Sequence, residues 1–146
     1  MREPGKYFRN DLINSLQLHE VMEAAGVRRI VFSSTCATYG VPDGATISEQ
    51  QPQRPTNPYG ESKLAVERAL RWYGELHGFS WAALRYFNAA GADPDGQLGE
   101  DHTPETHLIP LAMDAARGVI PQLDLYGTDY ETPDGTAIRD YELIRK

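Results

Sequence analysis

Tyr59 and Lys63 lie four residues apart in the segment NPYGESK, residues 57–63. On a helix that spacing puts both side chains on one face, a single turn apart. A free tyrosine hydroxyl loses its proton at a pH of about 10. A neighbouring ammonium favours the phenolate and lowers that value. A phenolate brought closer to neutrality can take a proton from an alcohol and later return it. The same chemistry needs a hydroxyl from another element to orient the alcohol, and the run RIVFSST offers Ser33, Ser34 and Thr35. Tyr-x-x-x-Lys alone arises often by chance, and Ser33 to Thr35 alone read as the turn that follows a strand. Together, with the pair at a helix start, they are a much stronger signal.

The elements that must position these groups can be read from the pattern. Residues 7–25 place Phe8, Leu12, Leu16 and then His19 or Met22 at helical spacing, with Gly26 as a stop. Residues 30–32 form an apolar run that ends in hydroxyl residues, as a buried parallel strand does. Glycines and prolines mark 40–57 as a loop. A helix is predicted over 58–77: Asn57 is a good cap, Pro58 suits the first helical position, Glu61 suits the positive end of the dipole, and Gly78 follows. Leu64, Leu70, Tyr73 and Leu76 supply its inner face. A second strand is expected over 79–87, a loop over 88–105, a helix over 106–118 and a short strand over 123–127. The order predicts an α/β fold with a parallel sheet. In such sheets ligands bind beyond the carboxyl ends of the strands, which are here Ser33-Ser34-Thr35 and Tyr86-Phe87-Asn88. Only two strands are well marked, too few for a stable sheet.

The 146 residues are 40% hydrophobic and 24% charged, within the range of a globular domain, and the formal net charge is -7. That charge argues against nucleic acid or an anionic membrane as the main partner. The single cysteine, Cys36, cannot form an internal disulfide and fits a reducing compartment, here expected to be the cytoplasm. No apolar leader opens the sequence and no run reaches the length of a membrane span. His19, His77 and His102 have no partners at metal-ligand spacing, so no metal site is predicted, and they read as structural or solvent-facing.

Five ordered segments, FSSTCATYG, TNPYGESK, LRYFNAAGADPDG, GEDHTPETHLIP and DGTAIRDY, resemble the extended short-chain dehydrogenase/reductase superfamily. Within it they are similar to the UDP-glucose/UDP-galactose 4-epimerase family, and the resemblance covers the chain from Pro4 to Tyr141. It implies a partial Rossmann-like parallel sheet: residues 1–90 would hold part of an NAD-binding domain with the catalytic helix, and 91–146 part of a UDP-sugar-binding region. It implies NAD-dependent epimerisation at sugar C4 through a 4-keto intermediate. Thr35 would hydrogen-bond the 4-hydroxyl, Tyr59 would be the acid–base, and Lys63 its partner on the nicotinamide ribose. Asn10, Ser33, Ser34 and Tyr86 fall near the cofactor. Asn88, His107, Leu108, Tyr126 and Arg139 fall where the family holds uridine diphosphate. For Arg139 a bidentate pair with a diphosphate suits the guanidinium, and a surface ion pair with Asp140 or Glu142 is the plainer alternative. The family is expected to be homodimeric.

Two departures matter. The family's Gly-x-x-Gly-x-x-Gly turn, whose amides cradle a pyrophosphate, is not in this sequence, and ELIRK replaces the strand the family carries after RDY. The expectation is therefore a central piece of an epimerase with an open, apolar strand edge. An inactive fragment, or one that works only with another subunit, is the alternative. Another sugar-nucleotide epimerase or a dehydratase is a third; dehydratases usually carry an acidic pair near the catalytic threonine, and TCATYG has none.

Overall fold

In the computed structural model, which describes residues 3–44 and 46–143, the chain divides into two units, Met1–Phe87 and Asn88–Lys146. In the first unit helical structure starts at α1 (Pro4–Tyr7), passes through a π-helical turn at Phe8–Ile13 and continues as α2 (Asn14–Ala24). The sequence predicted one helix over 7–25. The observed run begins earlier because Pro4 occupies an N-terminal helical position, where its missing N–H costs nothing. The π turn, which apolar spacing does not reveal, carries Asn10 and Asp11.

Strand β1 (Arg29–Thr35) follows and runs directly into a 3₁₀ turn at Cys36–Thr38. After the Gly- and Pro-rich loop comes α3 (Pro58–His77), then β2 (Ser80–Tyr86). The start of α3 is fixed by Asn57, whose Oδ1 accepts the Gly60 N–H at 2.9 Å. Its end is fixed by Gly78, at φ 70°, whose N–H donates to the Gly74 carbonyl at 3.2 Å. β1 and β2 pair in parallel, from Arg29 opposite Ser80 to Thr35 opposite Tyr86. With α3 as the crossover this is one βαβ unit, the parallel α/β arrangement the element order predicted and the partial Rossmann-like sheet the resemblance implied.

The core of this unit lies along α3. Leu64, Val66 and Leu70 are buried, with Phe79 and His19 packed among them. Each buried aliphatic side chain contributes roughly 1.5–3 kcal/mol. Leu76, expected on the inner face, is 71% exposed. The buried stripe runs instead through Val66 and Glu67 in the middle of the helix, and Leu76 sits in its last turn. Val31, Trp81 and Leu84 on the sheet are also exposed.

The second unit contains β3 (Asn88–Ala90), α4 (Leu108–Ala116) and β4 (Tyr141–Leu143). β3 and β4 pair in parallel, Asn88 opposite Tyr141. Neither strand is visible in local sequence, since three residues give no periodicity and the pairing spans the whole unit. The strand expected over 123–127 does not form. Its alternation is right, but Leu125 and Tyr126 are exposed and no described strand pairs with it. A strand without a ladder partner leaves its amides to water. Among the described residues no helix is long and apolar enough to cross a membrane.

Candidate active site

The carboxyl end of β1 and the first turn of α3 meet because of Gly60. A Cβ built there would lie 2.4 Å from the Ala37 carbonyl oxygen, inside any tolerable contact. Only glycine lets the helix approach the 3₁₀ turn this closely. The approach sets Tyr59, the neighbour of Gly60, beside Thr35, the last residue of β1.

Thr35 is buried, and its Oγ1 accepts the Ala37 N–H at 3.2 Å. Its carbonyl accepts the Thr38 hydroxyl at 3.0 Å. The first bond holds the side chain and the second the backbone, with the Thr35 hydroxyl close enough to the Tyr59 phenol to favour its deprotonation. The Tyr59 ring is half-buried and tilts against Tyr7, with centroids 5.9 Å apart.

Lys63 lies one turn further along α3. Its ammonium donates to the Ser33 carbonyl at 3.2 Å and pairs with Asp11 Oδ1 at 3.5 Å. It stands 5.1 Å from the centre of the Phe32 ring and 5.8 Å from that of Tyr59. Asp11 is itself clamped, since its Oδ2 accepts the Ser62 hydroxyl at 2.7 Å.

These contacts correct the expected electrostatics of the pair. Burial pushes the Tyr59 phenol above its ordinary value. The Thr35 hydroxyl acts the other way, while the charge of Asp11 adds to the rise. The phenol is therefore not brought toward neutrality here, and the Lys63 ammonium is matched to a carboxylate. Asp11 escaped the sequence reading because nothing in a local pattern links it to a segment some fifty residues away.

The other expected cofactor-side residues occupy different settings. Asn10 is exposed on the π turn. Ser33 is exposed, with its carbonyl under Lys63. Ser34 is buried and its hydroxyl donates to Glu67, which leaves its backbone rather than its side chain for a ligand. Tyr86 is directly opposite Thr35 on the neighbouring strand, partly exposed.

Behind the site Glu67 and Arg85 form a buried anchor. Arg85 Nη2 is 2.7 Å from Glu67 Oε2, and its Nε is 3.1 Å from Oε1. Gln53 donates to the same carboxylate at 3.0 Å, and Arg85 Nη1 reaches the Tyr39 hydroxyl at 2.7 Å. Burial alone would raise the Glu67 carboxyl. The hydrogen bonds from Arg85, Ser34 and Gln53 outweigh it and hold Glu67 below the usual carboxylate range. This group ties α3 to both strands and to the intervening loop, and so fixes the backbone from which Thr35 projects.

The expected substrate-side residues lie in the second unit. Asn88 opens β3, and its Nδ2 donates to the Asp140 carbonyl at 2.6 Å. His107 precedes α4 and Leu108 is its first residue. Tyr126 is 88% exposed, and Arg139 is exposed in the segment before β4. His102, for which spacing offered no metal-ligating partner, is gathered with Glu105 and His107 by the loop before α4.

Residues 1–145 match the family described as the NAD dependent epimerase/dehydratase family. The UDP-glucose 4-epimerase of Streptococcus mutans serotype c is 54% identical over 141 residues, which are 97% of this chain and 42% of that protein. Among solved structures, UDP-glucose 4-epimerase from Brucella ovis in complex with NAD is similar at 52% identity and a TM-score of 0.92, covering 97% of this chain and 43% of the other. UDP-glucose 4-epimerase from Bifidobacterium longum in complex with NAD+ and UDP is 40% identical, with a TM-score of 0.89 over 97% of this chain and 43% of that one. The chain thus spans less than half the length of the relatives it matches.

Proposed function

The chain belongs to the NAD dependent epimerase/dehydratase family, and we propose that it carries the acid–base half of a UDP-glucose/UDP-galactose 4-epimerase. The observation that carries this reading is the close approach of Gly60 to the Ala37 carbonyl, which brings Tyr59 to Thr35 at the carboxyl end of β1, with Lys63 one helical turn away and 5.8 Å from the Tyr59 ring centre. The relatives' names and the NAD bound in the Brucella ovis structure support it.

The donor set fits the nicotinamide end of NAD: one phenol, one buried hydroxyl and one ammonium, all on the face where α/β sheets take ligands. When bound, that cofactor supplies the acceptor and donor of the C4 hydride. Thr35 would orient the sugar 4-hydroxyl. Tyr59, as phenolate, would take its proton as the C4 hydride departs to the bound cofactor, leaving a 4-keto sugar. Tyr59 would return the proton to the oxygen as the hydride comes back to the other face of C4. Lys63 exchanges its contact with Asp11 for the nicotinamide ribose and lends its charge to the phenolate. Asn10, Ser33, the Ser34 backbone and Tyr86 border the cofactor. Asn88, His107, Leu108, Tyr126 and Arg139 hold the uridine diphosphate, Arg139 by charge-assisted hydrogen bonds. In this reading residues 1–90 serve the cofactor and 91–146 the substrate, in a cytoplasmic homodimeric enzyme of galactose metabolism.

A second reading rests on one observation: the chain spans 42% of the Streptococcus mutans relative, and the Gly-x-x-Gly-x-x-Gly turn is not in it. The chain would then work only alongside a polypeptide that supplies the pyrophosphate cradle. Both readings are tested by incubating the protein with NAD and UDP-galactose and quantifying UDP-glucose. Conversion by the protein alone supports the first. Conversion only after adding a separately expressed N-terminal segment of a relative supports the second, and no conversion in either case contradicts both.

A further inference from the structure

Outside the acid–base site, the loop before α4 collects two imidazoles and two carboxylates on eight residues. His107 Nδ1 is 2.8 Å from Glu105 Oε1 and 2.8 Å from Glu100 Oε1. His102 Nδ1 is 3.7 Å from the same Glu105 oxygen, and the two imidazole rings are 5.1 Å apart between centroids. One ligating atom from each of His102, Glu105 and His107 can be chosen so that all three lie within 4.8 Å of one another.

We propose that His102, Glu105 and His107, with Glu100 as a fourth donor, form a binding site for a divalent transition metal of the zinc class. In a tetrahedral zinc site with bonds of about 2.0–2.1 Å, neighbouring ligand atoms are about 3.4 Å apart. The separations to Glu105 Oε1 are 2.8 and 3.7 Å and all three donors lie within 4.8 Å of one another, so side-chain rotation about a fixed loop would bring them to that spacing. Two nitrogen donors select zinc, nickel or cobalt over magnesium and calcium, which take oxygen ligands. The carboxylates complement the cation's charge.

The central ligand is pre-positioned. Glu105 Oε1 accepts the Thr106 N–H at 2.6 Å and the His107 N–H at 2.7 Å. These bonds orient the carboxylate as an outer shell orients a metal ligand. The alternative role, a set of exposed His–Glu ion pairs, contributes little to stability and does not call for two imidazoles converging on one oxygen. This site does not rest on the epimerase reading, although it shares His107 with the substrate positions proposed above.

The test is zinc titration of the untagged protein after chelator treatment, by calorimetry, with cobalt substitution read in the visible spectrum. The expected result is roughly one zinc per chain, tetrahedral cobalt bands, and no heat with magnesium. The variants His102→Ala and Glu105→Gln should each weaken zinc binding by about 100-fold, since even partners outside the first shell of a metal are worth about 10–100-fold. His77→Ala, on α3 in the other unit, should leave it unchanged. Zinc binding that survives both loop variants, or no binding by the wild type, overturns the proposal. If Glu105→Gln unfolds the loop, His102→Ala alone decides, because the His102 side chain meets the Glu105 carboxylate and the His107 ring, both side-chain partners.

Discussion

Asp11 and Lys63 are joined by an ion pair of 3.5 Å, so the ammonium one turn from Tyr59 already has a carboxylate partner. The pair links the π turn at Phe8–Ile13 to the Tyr59-bearing start of α3, and Ser62 clamps the carboxylate from the side. An anion near a phenol disfavours the phenolate. Removing the Asp11 charge with Asp11→Asn should therefore move the Tyr59 titration to lower pH. Tyrosine ring-carbon NMR, with Tyr59→Phe identifying the signal, measures it. An unmoved or raised midpoint would contradict this account of the site.

Gly60 gives a second prediction. Gly60→Ala places a Cβ against the Ala37 carbonyl oxygen, and neither backbone can give way without shifting the helix start. A loss of about 1–3 kcal/mol is expected from the overpacking, read from the urea midpoint. The Thr35 hydroxyl should lose its effect on the Tyr59 phenol with it, seen as a changed Tyr59 titration. A variant of wild-type stability with that titration intact would show that the close approach does not position Tyr59.

The Glu67–Arg85 anchor predicts acid sensitivity. The folded carboxyl titrates below its unfolded value of about 4.3. Its contribution is therefore fully present above that value and is lost as pH falls through the lower folded one. Glu67→Gln should cost about 3 kcal/mol near neutrality, at the low end for a broken buried pair because Arg85 keeps some solvent. It should also flatten the pH dependence below about pH 4.3. Urea unfolding across that range measures both.

His19 should act in a higher window. It is fully buried beside Tyr73 and Phe79, and among the described residues its ring nitrogens have no hydrogen-bond partner. Burial lowers its proton affinity, so the fold favours the neutral ring. The unfolded ring takes up a proton as pH falls through about 6.5, and stability declines from there toward the lower folded value. His19→Leu should remove that decline and raise stability by about 1 kcal/mol, since it deletes unsatisfied polar atoms from the core. Unchanged pH dependence between wild type and variant would refute the assignment.

What the sequence revealed and what it hid follow from the range of each interaction. α3 was legible to the residue, because Asn57, Pro58 and Gly78 are local signals for a cap, a start and a stop. β1 and β2 were legible because parallel strands are continuous apolar runs, although most of that apolar surface, Val31, Trp81 and Leu84 included, is exposed rather than buried as expected. β3 and β4 were not, since their pairing joins Asn88 to Tyr141 across the second unit. The sequence also brought forward Thr35, Tyr59 and Lys63, which the fold places at one end of β1 and one turn of α3. It could not show that Asp11 matches Lys63 or that burial raises the Tyr59 phenol, because both depend on a helix folding back over α3. Likewise His102 joins Glu105 and His107 only through the shape of a loop.

The most direct measurement of the central claim is turnover of UDP-galactose by wild type and Tyr59→Phe, with NAD and under whichever conditions support conversion. Phenylalanine keeps the ring packed against Tyr7 and removes only the proton-carrying oxygen. The account predicts a loss of about 10²–10⁴-fold in rate, the usual worth of a positioned acid–base group. A Tyr59→Phe variant that converts UDP-galactose at the wild-type rate would contradict it.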